Sequence, residues 1–164
     1  MKGNPRGGDR LLFIPQEIGN FVTRLEFRVS EEGGEGALIL RSPVSTHSRP
    51  EGYSIGLSGQ GGWVYSVESF FHFIYKSGRS GIISDDPAIE VDDGKWQVLE
   101  VECFGDQIVA VLNGKIIHQV IDSRFSRGKL GLHSRNPSLE VREFVYRKIE
   151  SPSLATRPPR FKSE

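Results

Sequence analysis

Hydrophobic and polar residues alternate with a period of two along much of the chain. From Phe21 to Val29 the odd positions are Phe21, Thr23, Leu25, Phe27 and Val29, and the even ones are Val22, Arg24, Glu26 and Arg28. Successive side chains of an extended strand point to opposite faces, so this segment is a strand with one buried and one wet face. Val98 to Phe104 repeats the pattern, with Leu99, Val101 and Cys103 set against Glu100 and Glu102. Between Tyr53 and Leu57, the residues Tyr53, Ile55 and Leu57 share a face, with Ser54 and Gly56 on the other. Ala37 to Arg41 is a short apolar strand ending in a charge. Ile108 to Leu112 and Lys115 to Ile121 flank Asn113-Gly114. That dipeptide predicts a type I′ hairpin, whose two central residues need positive φ. Lys129 to His133 and Leu139 to Ile149 complete the set. No window carries a helical stripe. Val67 to Tyr75, with Phe70, Phe71, Phe73 and Ile74, is too short and too apolar to type by period, and an irregular strand or loop is expected there. Eight or nine strands at this spacing, without helices, predict an antiparallel sandwich or barrel.

The 164 residues suit one domain with loose ends. Met1 to Arg10 is rich in glycine and has no apolar stretch, so it is not a signal peptide and reads as a flexible segment, residues 1–10. Glu150 to Glu164 contains Pro152, Pro158 and Pro159 among scattered charges and reads as a linker or tail, residues 150–164. The folded domain is expected over residues 11–149. Two soft ends around a compact middle favour a domain cut from a longer protein, whose other domains would then be partners. Lys plus Arg and Asp plus Glu both number 21. A balanced charge argues against a nucleic-acid partner and gives no support to docking on anionic membranes. No run of about 18 apolar residues exists, so no membrane insertion is expected. Cys103 is the single cysteine, which excludes an internal disulfide and a thiolate zinc cluster. It reads as a buried small hydrophobe.

Several motifs fail on their context. Gly52-Tyr53-Ser54-Ile55-Gly56 matches the G-x-S-x-G pattern of serine hydrolases, but no helix follows to form the nucleophile elbow. His47, His72, His118 and His133 have no metal-ligand spacing. Asp85-Asp86 and Asp92-Asp93 are stronger as turn residues than as calcium ligands, so no cofactor is expected, with calcium kept as the alternative. Gly59-Gln60-Gly61-Gly62 lacks the ending of a phosphate loop.

Taken in order, the strands resemble the 3-keto-disaccharide hydrolase family. Asn20-Phe21-Val22-Thr23-Arg24-Leu25-Glu26-Phe27-Arg28 is similar to its "dF-x-L-x-x-E-(W/F)-R" strand. Glu35-Gly36-Ala37-Leu38-Ile39-Leu40-Arg41-Ser42-Pro43 is similar to "NSG-(I/L)-x-x-R-x-P". Gly62-Trp63-Val64-Tyr65 echoes "T-G-(A/S)-(I/L)-Y", and Gly94-Lys95-Trp96-Gln97 resembles "G-(E/K)-W-N". Leu112-Asn113-Gly114 matches the hairpin, Lys129-Leu130-Gly131-Leu132-His133 resembles "G-x-I-G-L-Q", and Leu139-Glu140-Val141-Arg142-Glu143-Phe144 resembles the closing "V-x-F-R-N-I". The resemblance covers Leu11 to Ile149 and implies an all-β, antiparallel two-sheet jelly-roll sandwich of the concanavalin A-like, laminin G-like type. It implies a glycan or small carbohydrate as ligand, and an exported location. The chain departs from the pattern where the family carries "Y-E-x-Q-(I/L)-x-D": Tyr53-Ser54-Ile55-Gly56-Leu57-Ser58-Gly59 has neither the glutamate nor the aspartate. The family's asparagine after tryptophan is Gln97, and its last glutamine is His133. Cleavage of a 3-keto glycoside by elimination needs a base for the proton beside the ketone. The candidates left for that role are Glu26 and His133.

The wet faces supply the remaining candidates. Arg24, Glu26 and Arg28 lie on one outward face, and Arg41, Ser54 and His133 join them if the sheet order follows the family. Arginines and carboxylates bind hydroxyls through paired hydrogen bonds. Tyr65, Tyr75, Trp63 and Trp96 are the candidate aromatic platforms; Trp63, among glycines, is the better exposed of them, and Trp96 after a Gly-Lys turn reads more simply as core. The plain alternative for Arg24, Glu26 and Arg28 is a cross-strand charge ladder. Three functions compete: a carbohydrate-recognition domain without catalysis, an active hydrolase of 3-keto glycosides, and a structural or protein-interaction module.

Overall fold

A computed structural model of the chain describes residues 10–29, 35–43, 52–57, 94–135 and 139–154. Among the described residues all regular structure is strand: β1 (Arg10–Ile18), β2 (Phe21–Val29), β3 (Glu35–Ser42), β4 (Tyr53–Gly56), β5 (Gln97–Phe104), β6 (Gln107–Leu112), β7 (Lys115–Ile121), β8 (Gly128–Arg135) and β9 (Leu139–Lys148). They form two antiparallel sheets, one ordered β1-β8-β3-β4 and the other β7-β6-β5-β2-β9. The two are stacked face to face as a sandwich.

β2 alternates buried and half-buried residues without a break, as its period of two predicts. Phe21, Leu25, Phe27 and Val29 from this strand meet Leu99, Val101 and Cys103 of β5 in the core. Leu38, Leu40, Tyr53, Ile55, Leu57, Leu130 and Leu132 come from the opposite sheet to close it. Thr23 is on the core face too, and its hydroxyl donates to the Val145 carbonyl at 2.8 Å, so the buried polar group is satisfied. The β6–β7 hairpin turns on Asn113 and Gly114 at φ 50° and 81°, the type I′ geometry that their sequence predicts. The Asn113 carboxamide also accepts from the Val98 N–H at 2.9 Å, fixing the turn to the start of β5.

β1 is the strand that periodicity missed. Pro15 sits in it without an N–H to give, and its pairing with β8 shifts register between Phe13 and Glu17. The disturbed pairing spoils the alternation that would have marked the strand. At the other end, the tail expected from Glu150 does not leave the domain at once. The Ile149 N–H donates to Asn20 O at 3.2 Å, and residues 150–154 then cross to β5. There the buried Glu102 carboxylate takes the Ser153 N–H, the Ser153 hydroxyl and the Leu154 N–H on Oε2, at 2.6, 2.5 and 2.8 Å. Val67 to Tyr75 and both aspartate pairs lie outside the described residues.

Candidate functional site

The sandwich separates the candidate residues. Arg24, Glu26 and Arg28 are on β2, on the outer face of the five-stranded sheet, whereas Arg41, Ser54 and His133 belong to β3, β4 and β8 of the other sheet. The two groups therefore do not share one surface, contrary to the expectation that they join. Trp63 and Tyr65 lie outside the described residues.

Arg41 is not on a surface at all. Strand alternation from Ile39 would point it outward, but β3 and β8 shift register between Ile39 and Ser42, and Arg41 adopts φ 52°. A residue in this left-handed conformation breaks the alternation and turns its side chain aside. The Arg41 side chain runs into the end of the sandwich with no exposure. Its Nε donates to Gly19 O at 3.0 Å, and Nη1 donates to Gly105 O at 2.7 Å and Phe125 O at 3.1 Å. One guanidinium thus satisfies carbonyls from three separate turns. Gly128 makes room for this bulge: a Cβ there would come within 3.0 Å of the Arg41 backbone.

The outer face of the five-stranded sheet is a charge ladder. Arg24 pairs with Glu143 and lies 4.0 Å from Glu26. Arg28 pairs with Glu140 at 2.6 Å, and Glu26 is also held by Arg142. Register places Arg28 directly opposite Glu140, whereas Glu26 is opposite the like-charged Glu143, and the two carboxylates are offset by Arg24 and Arg142 from neighbouring positions, Arg142 lying at the register shift beside Glu26. Trp96 adjoins this ladder. It is half-exposed, not core as expected, with the Arg28 and Arg142 guanidinium carbons 5.0 and 4.7 Å from its ring centroid. It precedes β5 by one residue, so the strand's alternation does not govern its direction.

The outer face of the four-stranded sheet has a different character. Two transverse rows follow from its register: Leu11, His133, Ala37 and Gly56 in one, and Phe13, Gly131, Ile39 and Ser54 in the other. Each row has two small residues, Ala37 and Gly56 in one and Gly131 and Ser54 in the other. Ile39 and Ser54 are fully buried, while Leu11, Phe13, Lys129 and His133 on β1 and β8 are half-exposed. The accessible part of this face is therefore the β1–β8 strip. It includes His133 and Phe13; sequence reasoning missed Phe13 because its strand was hidden.

Two buried groups behind these faces are structural. The Tyr53 hydroxyl donates to Asp122 Oδ1 at 2.6 Å and accepts the Phe125 N–H at 3.1 Å, and the Tyr53 and Phe125 rings meet edge to face at 5.3 Å. Burial and the hydrogen bond to Asp122 push the Tyr53 phenol above its ordinary range. Partial burial pushes the Asp122 carboxyl up, but hydrogen bonds from Arg124 and Tyr53 outweigh it and hold the group below the usual carboxylate range. Cys103 is in the core as expected, and burial pushes its thiol up to about 12. Among the described residues no group of His, Cys, Asp and Glu is arranged to hold a metal, and no helix is long and apolar enough to cross a membrane.

Two stacked antiparallel sheets with a closed core and contrasting outer faces define a jelly-roll sandwich. Over residues 1–150 the sequence matches the family model of the 3-keto-alpha-glucoside-1,2-lyase-like domain, and the chain belongs to that family. Solved structures share the fold at low identity. The carbohydrate-binding module CBM66 of Bacillus subtilis is 20% identical, with TM-score 0.64 over 85% of this chain and 82% of that one. A candidate glycosyl hydrolase of Parabacteroides distasonis is 17% identical, with TM-score 0.65 over 87% and 84%. A Bacillus subtilis protein with a galectin-like fold is 14% identical, with TM-score 0.57 over 87% and 78%. No curated protein matches the chain by sequence.

Proposed function

We propose that this chain is a carbohydrate-recognition domain for glucosides, with the β1–β8 strip of the four-stranded sheet as its ligand face. The observation that carries the reading is the family match over residues 1–150, combined with the loss of the family's carboxylate at Ser54. A domain that keeps the family's fold but places a buried serine at that position retains a surface for sugar and lacks the usual base. The ion pairs of the Glu26 carboxylate with Arg24 and Arg142, on the other sheet, speak against Glu26 as its replacement. Titration of the protein with 4-nitrophenyl α-D-glucopyranoside and its 3-keto derivative, followed by NMR, tests the reading. Saturable shifts on β1 and β8 without nitrophenol release are expected. Absence of shifts with both sugars and across a broad glycan panel contradicts it.

A second reading keeps the family's chemistry and uses His133 as base. His133 occupies the position of the family's last glutamine and lies on the accessible strip. In that case an imidazole nitrogen takes the proton from C2, the C2–H electrons form the C1–C2 double bond, and the C1–O bond breaks as the aglycone leaves with a proton. Nitrophenol release that is abolished in His133→Ala favours this reading over simple binding.

A further inference from the structure

We infer that Phe13, seated on Gly131, is the stacking platform of the carbohydrate face, taking the C–H-bearing side of a glucopyranose ring next to His133; this rests on the binding function proposed above. Phe13 and Gly131 are directly opposite across β1 and β8. An added Cβ at Gly131 would come within 3.0 Å of Phe13 Cδ1 and Cε1, so one edge of the phenyl ring fills the space of the missing side chain. The ring is on the outer face with Gly131, because the adjacent pair Leu12 and Leu132 alternates with it and Leu132 points into the core. A side chain pinned over a glycine in this way loses little further freedom when a ligand covers it, which favours binding. Phe13 remains half-exposed, so part of the side chain is open to a ligand.

The neighbours fit a sugar. His133 stands two residues from Gly131 on the same face, about 7 Å along an extended strand, which is close to the width of one pyranose. Glucopyranosides expose clustered axial C–H groups on their faces and hydroxyls at their rims. An aromatic plane with a polar imidazole at its margin matches that division. The charge ladder of the other sheet does not, since its guanidiniums and carboxylates are already paired with each other.

The test uses Phe13→Leu, Phe13→Tyr and His133→Ala in the full chain, with thermal melts to confirm folding. Affinity for 4-nitrophenyl α-D-glucopyranoside and its 3-keto derivative is read by NMR titration. Phe13→Leu keeps apolar volume over Gly131 and removes the π face, so binding is expected to weaken by about tenfold. Phe13→Tyr should retain affinity within about twofold, and the ring protons of Phe13 should show ring-face shifts on saturation. Saturable binding that Phe13→Leu leaves unchanged, with shifts elsewhere, overturns the platform while leaving the binding function standing. No binding by the wild-type protein overturns both.

Discussion

Arg41 donates from Nε to the Gly19 carbonyl at 3.0 Å, tying the end of β3 to the turn between β1 and β2. With its two further bonds to Gly105 and Phe125, this side chain gathers three turns of the sandwich around one buried cation. Arg41→Ala leaves three carbonyls without their donor and is expected to cost about 3 kcal/mol or more in urea unfolding. Arg41→Lys should recover only part of this, because an ammonium cannot fan out to three acceptors as a guanidinium does. Wild-type stability in Arg41→Ala would refute the role.

The Tyr53–Asp122 pair gives the fold a defined response to pH. The Asp122 carboxyl is held below its unfolded value, so its contribution is complete above about pH 4 and is lost as pH falls through the lower folded value. The Tyr53 phenol is raised, so its contribution is complete below about pH 10 and is lost as pH rises through the higher folded value. Asp122→Asn should flatten the acid limb of a stability–pH curve, and Tyr53→Phe the alkaline limb. Unchanged limbs in both variants would contradict the assignment.

Cys103 should be inert in the native state. Its thiol is fully buried and pushed up to about 12, so almost no thiolate exists at pH 8. Ellman's reagent is expected to react only at the rate of global unfolding, and fast stoichiometric labelling in native buffer would show otherwise.

Glu102 should control the order of the segment after β9. It accepts three hydrogen bonds from Ser153 and Leu154, so Glu102→Ala frees those donors. Amide exchange at Ser153 and Leu154 should then accelerate at least about tenfold, for a loss of roughly 1–3 kcal/mol. Equal protection in wild type and variant would disprove the anchor.

The charge ladder of β2 and β9 should matter little to either stability or binding. Exposed ion pairs contribute about 0–1 kcal/mol, so Arg24→Gln and Arg28→Gln are expected to unfold within about 1 kcal/mol of wild type. Their sugar affinities should match wild type, because the ladder is on the sheet opposite His133. A large loss of sugar binding in these variants would move the ligand face to the five-stranded sheet.

Much of this architecture was legible in the residues. The unbroken alternation of β2 and the Asn113-Gly114 turn each encode their structure locally, and the observed strand and type I′ hairpin match. The order of the motifs carried the family and the jelly-roll fold. Three features were hidden for physical reasons. β1 was obscured by Pro15 and the register shift beside it. Arg41 followed a bulge that strand periodicity cannot anticipate, and this converted an expected ligand contact into an internal brace. The separation of Arg24, Glu26 and Arg28 from Ser54 and His133 depends on which strands pair across long sequence distances, and alternation within a strand says nothing about that. Phe13 is a consequence of the first omission, since it acquires meaning only when β1 is set against Gly131.

Sugar binding on the β1–β8 strip is tested most directly by an NMR titration of the full chain with 4-nitrophenyl α-D-glucopyranoside and its 3-keto derivative, with nitrophenol monitored in the same tube. Saturable shifts centred on β1 and β8, including Phe13 and His133, are expected, with no release of nitrophenol. Shifts confined to the Trp96 face, or no response to either glucoside, would contradict binding on that strip.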